Sequence, residues 1–575
     1  MAPGRALSGP LAMSVRLRSM RLRTAWCSLA ALALGLALAA ESVAPIRFEE
    51  IGERAGIRFV TDNSATAQKY QPEAMVAGVA IFDYDGDGFP DLYFVNGGGM
   101  PSLERSDARF RNRLFHNNGN LTFTDVTDRA GVAGSGYGMG VAIGDYDNDG
   151  RPDIFLASLT GNQLFHNNGD GTFTDVTARA GVGGGTFGGR KMWSVSAAWL
   201  DYNNDGLLDL FVSNYCQWQP GGDPDCRLNG QRIYCSPRYY KPLPNTLYRN
   251  NGDGSFTDVS VATGIAQHPG RGMGVAVADY DGDGYPDIFV ANDASPNQFF
   301  HNLGGKRFEE VAEEEMVAYA QDGRLISGMG ADFRDVFNTG RPAIWETALE
   351  RQTFPLFVNS GRGFFEDGTA KAGLGATSEM AGWSNAIVDL DNDGWKDLIV
   401  ARSNVTDNIA LFSHRTYAEP NAVFRNLGNG RFQNVSESAG ADFQVPAVHR
   451  GLAVGDLDND GRMDVVVSVL NGPAQVFHNT TRNGNHWLLL QLTGTKSNRM
   501  GIGARIRLRA SDGAVQFNQV STSTGYASSS DARVHFGLGR AESAREIEIL
   551  WPSGTRQLLH DVAADRVVPI TEPRP

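Results

Sequence analysis

Aspartates recur at positions 1, 3, 5 and 9 of a short segment whose sixth residue is glycine, a donor pattern suited to a hard divalent cation. The first copy offers Asp83, Asp85, Asp87 and Asp91, and the second Asp145, Asp147, Asp149 and Asp153. The third offers Asp201, Asn203, Asp205 and Asp209, and the fourth Asp279, Asp281, Asp283 and Asp287. Two more supply Asp389, Asp391, Asp393 and Asp397, then Asp456, Asp458, Asp460 and Asp464. A tight turn lets alternate oxygens converge on one point, and glycine at position 6 allows the backbone conformation this requires. The carbonyl at position 7 adds a further oxygen. Position 12, a bidentate Glu in helix–loop–helix calcium sites, is apolar here (Phe94, Leu156, Val290). The expected ion is Ca²⁺, about six per chain, one for each intact loop.

A seventh copy starting at Asp335 keeps Gly340 and Pro342 but has no carboxylate at positions 3, 5 or 9. Its turn should form without a metal. Asn203 removes one charge from the third loop, which should bind more weakly.

The loops need elements to hold them. Each is preceded by a β-prone run such as Val79–Phe82 and followed by another such as Asp91–Val95, so each joins two antiparallel strands. A second segment, Leu114-Phe115-His116-Asn117 followed by Phe123-Thr124-Asp125-Val126, recurs out of phase and adds two strands per unit. Four strands in a repeat of 54 to 78 residues point to an all-β, seven-bladed β-propeller over residues 41–480. The segment Ile46–Ile51 reads as the fourth strand that the last unit lacks, which would close the propeller and remove its edges.

The Gly-Met-Gly steps at Gly138, Gly272 and Gly328, set before Asp-rich loops, resemble the FG-GAP repeats of integrin α-subunit propellers. The spread of copies resembles the cartilage acidic protein family. So do Gly501-Ile502-Gly503-Ala504-Arg505, Val534–Gly539 and Trp551-Pro552-Ser553-Gly554, which are similar to its C-terminal ASPIC/UnbV domain, here 485–570. The cysteine pattern of the EGF-like module that animal members add is absent from these residues, so the resemblance is to bacterial-type members. It implies a calcium-bearing propeller with an adhesive or binding role.

Residues 1–40 carry five arginines, no acid, and an apolar run ending in small residues, which reads as an export signal cleaved near Ala39 or Ala40. The expected location is therefore secreted, extracellular or periplasmic, with no membrane span after cleavage. Removing the leader takes the formal net charge from −14 to −19. Most of that acidity belongs to the loops, and no basic cluster outside the leader marks a nucleic-acid partner. Export makes a disulfide plausible. Cys226–Cys235 is the preferred pair, with Cys216 buried and free, in an insertion that also holds Trp218, Tyr234, Tyr239 and Tyr240. Those aromatics either face a ligand or form a local core.

In the C-terminal domain, Ser521–Ser530 reads as a Ser/Thr/Gly-rich loop, and His535 and His560 as packing residues. The leading expectation is a calcium-braced scaffold that binds an extracellular or cell-surface protein or glycan. The competing class is a calcium-dependent polysaccharide lyase or hydrolase, for which His268, His414, His449 and Arg450 in connecting loops are the residues to watch.

Overall fold

A computed structural model describes residues 45–574 apart from Ala77, so the expected export signal lies outside the described residues. The chain is all-β. Six units each place four strands in an antiparallel sheet in simple sequence order, and a seventh unit places three. In sheet 1 these are Val79–Phe82, Asp91–Phe94, Arg113–Asn117 and Phe123–Asp125. The leading strands of sheets 2 to 7 are Gly138–Gly144, Ser194–Leu200, Gly272–Ala278, Ala331–Arg334, Gly382–Val388 and His449–Gly455. Leading and second strands are buried nearly throughout, which is why they read as continuous apolar runs such as Val465-Val466-Val467.

Sheet 7 is completed from the other end of the chain. Phe48–Glu50 pairs antiparallel with Gln475–Asn479, in the register Phe48 to Asn479 and Glu50 to Phe477. Phe48 stacks on Phe443, with ring centroids 5.2 Å apart.

One asparagine per sheet ties each sheet to its neighbour. Asn167 Nδ2 donates to the Tyr84 carbonyl, Asn250 to Tyr146, Asn302 to Tyr202 and Asn359 to Tyr280, all at 2.7–2.8 Å. Asn426 donates to Val336 at 3.0 Å and Asn479 to Leu390 at 2.8 Å. Asn117 of sheet 1 donates to Leu457 of sheet 7 at 2.8 Å. In every case the acceptor is the second residue of the preceding Asp-rich loop.

The C-terminal part forms two small sheets. One orders Val534–Gly539, His486–Thr493 and Arg566–Thr571; the other orders Val515–Gln519, Arg505–Ala510, Ser543–Leu550 and Arg556–Ala563. The segment expected to be a loop, Ser521–Ser530, is instead a buried hairpin of Ser523–Thr524 and Ser528–Ser529 that adds to sheet 1 beside Ala80. It reaches the leading strand of every sheet. Gly525 exchanges backbone hydrogen bonds with Ala331, the Tyr526 amide donates to Ser384 Oγ, and the Ala527 amide donates to Ser196 Oγ. Val141 donates to the Ala527 carbonyl, and Val454 donates to Ser530 Oγ at 3.1 Å. In sheet 4, a Cβ at Gly274 would lie 2.8 Å from the Gly525 carbonyl oxygen.

Crowding by the neighbouring leading strand and by the hairpin explains the second glycine of the Gly-Met-Gly steps: a Cβ at Gly274 would lie 2.7 Å from the Met329 carbonyl oxygen as well as 2.8 Å from that of Gly525. The third position of the step is Gly78, Gly140, Ser196, Gly274, Gly330, Ser384 or Gly451 in the seven leading strands, always small. A Cβ at Gly140 would sit 3.1 Å from Ala527, and one at Gly330 would sit 3.1 Å from Gly525. The polar hairpin escaped sequence reading because its backbone partners all lie in another part of the chain.

His449 and Arg450 also depart from expectation, since they begin the leading strand of sheet 7 and are fully buried. Arg450 lies 3.9 Å from the Trp383 ring centroid and donates to the Ala74 carbonyl at 2.7 Å. Trp383 meets Tyr526 edge-on at 5.2 Å, and the Tyr526 hydroxyl donates to the Met75 carbonyl. Replacing Tyr526 with Ala should therefore cost about 3–5 kcal/mol, as for other buried aromatics. In a chain of this size that corresponds to a fall in Tm of roughly 3–5 °C in a thermal melt.

Candidate metal centre

The strand pair around each loop fixes where its carboxylates point. In loop 1, Asp83 Oδ1 accepts the Gly86 amide at 2.8 Å and Oδ2 the Gly88 amide at 2.9 Å, which closes the turn. Asp87 Oδ1 accepts the Phe89 amide at 2.9 Å. Asp91 at position 9 braces the second strand, accepting Tyr84 at 2.9 Å and Asn117 at 2.7 Å through its two oxygens. Asp85 at position 3 takes no part in this scaffolding. The same bond from the position-6 glycine to the position-1 aspartate recurs at Gly150, Gly206, Gly284, Gly394 and Gly461.

The result is carboxylates crowded together. Asp83, Asp85 and Asp87 offer ligand atoms within 4.8 Å of one another, as do Asp145, Asp147 and Asp149. Burial, with help from neighbouring carboxylates, pushes the Asp91 carboxyl up to about 9 and Asp456 to about 8. Asp145, Asp201 and Asp391 are raised to about 7 by the same causes. Oδ1 of Asp391 and Oδ1 of Asp458 are buried without a hydrogen-bond partner, while Asp391 Oδ2 is paired with the Arg425 guanidinium. Groups held so far above their ordinary range, with unused lone pairs, fit a site that takes a cation.

Numbered by sheet, the worn copy starting at Asp335 is loop 5, the copy at Asp389 loop 6 and that at Asp456 loop 7, and the turn of loop 5 forms as its sequence implies. Asp335 accepts the Thr339 amide at 3.1 Å and the Gly340 amide at 2.5 Å, so the turn forms, while position 9 is Ala343.

Two features of the loops were not legible as site residues. Position 4 is Gly or Asn, and where it is Asn the residue has positive φ and its side chain reaches the next loop. Asn148 donates to the Gly206 carbonyl, Asn204 to Gly284, Asn338 to Gly394 and Asn392 to Gly461, all at 2.8–2.9 Å. Asn459 of loop 7 donates to Gly88 of loop 1 at 3.0 Å. The second feature is a histidine one residue before the strand asparagine. His116 Nδ1 lies 3.2 Å from Asp85 and 3.3 Å from Asp91, and His166 sits alike between Asp147 and Asp153. His301 and His478 contact Asp287 and Asp464. Its recurrence in the Leu-Phe-His-Asn segment was the available signal.

The C-terminal domain lies against these loops. Arg505 Nη1 is 2.7 Å from Asp279 Oδ2, and the Arg499 amide donates to Asn148 Oδ1 at 2.7 Å. Arg533 donates to Asn459 Oδ1 at 2.6 Å and to the Asp456 carbonyl at 2.8 Å.

The other expected residues fall elsewhere. Cys226 and Cys235 are bridged, and Cys216 is buried and unpaired. Trp218, Tyr234 and Tyr240 are buried in a local core with Trp193 and Tyr215, and of the four aromatics Tyr239 is the one exposed. Trp218 Nε1 and the Tyr240 hydroxyl both donate to Asp223. His268 and His414 are exposed. His535 packs as expected, but His560 is exposed on an outer strand.

Family models match two parts of the chain. An FG-GAP-like repeat matches residues 83–156, 145–212, 233–290, 279–345 and 405–467, and an ASPIC and UnbV model matches residues 494–575. The chain belongs to the FG-GAP-like repeat family. Together with its ASPIC/UnbV domain, this gives it the organisation of the cartilage acidic protein family. Cartilage acidic protein 1 of Xenopus tropicalis is 25% identical over 488 residues, covering 83% of this chain and 61% of that protein. The Mus musculus protein of the same name is 24% identical over 525 residues, covering 87% of this chain and 74% of that protein. This FG-GAP chain thus spans less than two thirds of the frog relative. Among solved structures, YCF48 bound to D1 peptide is 7% identical with a TM-score of 0.40, covering 77% of this chain and 99% of that chain.

The raised carboxyls set a pH dependence for the metal-free protein. A carboxyl with a folded pKa above its unfolded value of about 3.9 binds more protons when folded, so its contribution is lost as pH rises through the folded value. Burial holds His449 and His535 down at about 4, and these act oppositely below about pH 6.5. In chelator, stability should therefore rise as pH is lowered from 8.5 to 6.5. Saturating metal should flatten or reverse that slope, and urea unfolding at several pH values reads both.

Proposed function

We propose that this FG-GAP chain is an exported, calcium-braced, seven-bladed β-propeller that serves as a binding scaffold for an extracellular protein or glycan. Residues 41–480 form the propeller and residues 485–570 the ASPIC/UnbV domain. The observation that carries the reading is the linkage of the loops. Their position-1 and position-9 aspartates brace the turn and the strands, and a hydrogen bond from Asn459 to Gly88 joins the last loop to the first. Closure is supported by the pairing of Phe48–Glu50 with Gln475–Asn479 and by the bond from Asn117 to Leu457.

Oxygen-rich loops with flexible geometry favour Ca²⁺ over smaller ions. Extracellular calcium modules bind with constants near 10⁻⁴–10⁻³ M. A tenfold excess of calcium over such a constant adds about 1.4 kcal/mol per site. Several sites together supply a sizeable share of a domain's stability of about 5–15 kcal/mol, so bracing alone accounts for the repetition of the loops. The likeness to cartilage acidic protein 1 supports an extracellular setting. Among the described residues no helix is long and apolar enough to cross a membrane.

Binding then falls to the exterior. Channel-lining positions are taken up by the Ser523–Ser529 hairpin and by Tyr526, which favours a scaffold over chemistry at the propeller's centre. Thermal unfolding of residues 41–575 in millimolar calcium and in excess chelator tests the reading. A fall of about 5 °C or more in chelator is expected, restored by calcium. An unchanged Tm with no bound calcium would mean that the loops are turns alone.

A further inference from the structure

In loop 6, the copy starting at Asp389, one guanidinium meets the carboxylates at both positions 3 and 5, whereas Arg151, Arg505 and Arg462 each meet a single carboxylate of loops 2, 4 and 7. The residue one before the strand asparagine is His116, His166, His301 and His478 in sheets 1, 2, 4 and 7, Val358 in sheet 5, and an arginine in sheets 3 and 6. Arg249 of sheet 3 is exposed, whereas Arg425 of sheet 6 lies on the carboxylates of its loop. Arg425 Nη2 lies 2.6 Å from Asp391 Oδ2 and 3.0 Å from Asp393 Oδ2, the side chains at positions 3 and 5. The Asp391 side chain is fully buried and its Oδ1 has no hydrogen-bond partner, so the guanidinium on Oδ2 is its counter-charge.

A second cation lies nearby. Lys396, position 8 of the same loop, is buried and donates through Nζ to the Phe517 carbonyl at 2.8 Å. The C-terminal domain covers the rest. Asn485 Nδ2 donates to the Asp391 carbonyl at 2.9 Å and the Gly539 amide to the Asn392 carbonyl at 2.8 Å.

We propose that Arg425 replaces the metal ion in loop 6. The inference rests on calcium binding by the other loops. An imidazole at that place is itself able to serve as a metal ligand. A guanidinium is always charged and matches carboxylates through its planar fork. It holds the same position-3 and position-5 oxygens that an ion would need. An ion entering loop 6 would have to displace Arg425 from these oxygens.

Bound calcium per chain at millimolar free calcium, measured by equilibrium dialysis with elemental analysis of both compartments on residues 41–575, tests this. Asp147→Asn, at position 3 of loop 2, should lose about one ion per chain. Asp391→Asn, at position 3 of loop 6, should lose none, and Arg425→His should gain about one. Loss of an ion in Asp391→Asn, or no gain in Arg425→His, overturns the proposal. A second readout needs no calcium. In chelator, Arg425→Gln should lower Tm because it leaves Asp391 buried and unpaired, and an unchanged Tm also overturns the proposal. A wild-type chain without bound calcium would overturn the calcium reading itself, while the melt in chelator would still report whether Arg425 is the counter-charge.

Discussion

Burial of crowded carboxylates is the constraint on which the rest of the molecule depends. Each intact loop draws its acidic side chains together because three of them already serve the backbone, at positions 1, 5 and 9. The turn that makes the hairpin is thus the same structure that concentrates the charge. Folding supplies amide donors to some oxygens and leaves others, such as those of Asp391 and Asp458, without any. Like charges at a few ångströms in a partly desolvated site are strongly unfavourable, which helps hold carboxyls such as Asp91 and Asp456 far above their ordinary range.

The loops are also where the sheets are joined. Position 2 offers its carbonyl to an asparagine of the following sheet, and position 4, when it is Asn, reaches the following loop. Neutralising one loop therefore steadies its neighbours as well as its own hairpin. The C-terminal domain adds a third connection, laying Arg505 and Arg533 against the loops and threading the Ser523–Ser529 hairpin among the leading strands. Because that hairpin meets every leading strand, the seven sheets and the ASPIC/UnbV domain share contacts that neither part would have alone.

Much of the site was legible because its ligands are local. Positions 1 to 9 lie within one turn, so type and spacing sufficed for the loops and for the lost acids of the Asp335 copy. The disulfide was legible too, since Cys226 and Cys235 are close in sequence and sit in a segment with little core of its own. What escaped was mostly long-range. His116 and its counterparts come from a different strand, and Tyr526 comes from a different domain. Trp218, Tyr234 and Tyr240 looked alike as surface or core until Asp223 and Trp193 were seen beside them.

The sequence by itself determined the repeat, its four strands, the donor set of each loop and the family, because these depend on periodicity and on spacing within a few residues. Only the tertiary structure decided which small residue makes room for the hairpin, which asparagine ties two sheets together, and which carboxylates meet His, Arg or Lys. Those outcomes depend on which strands are brought side by side, and separation along the chain carries no record of that.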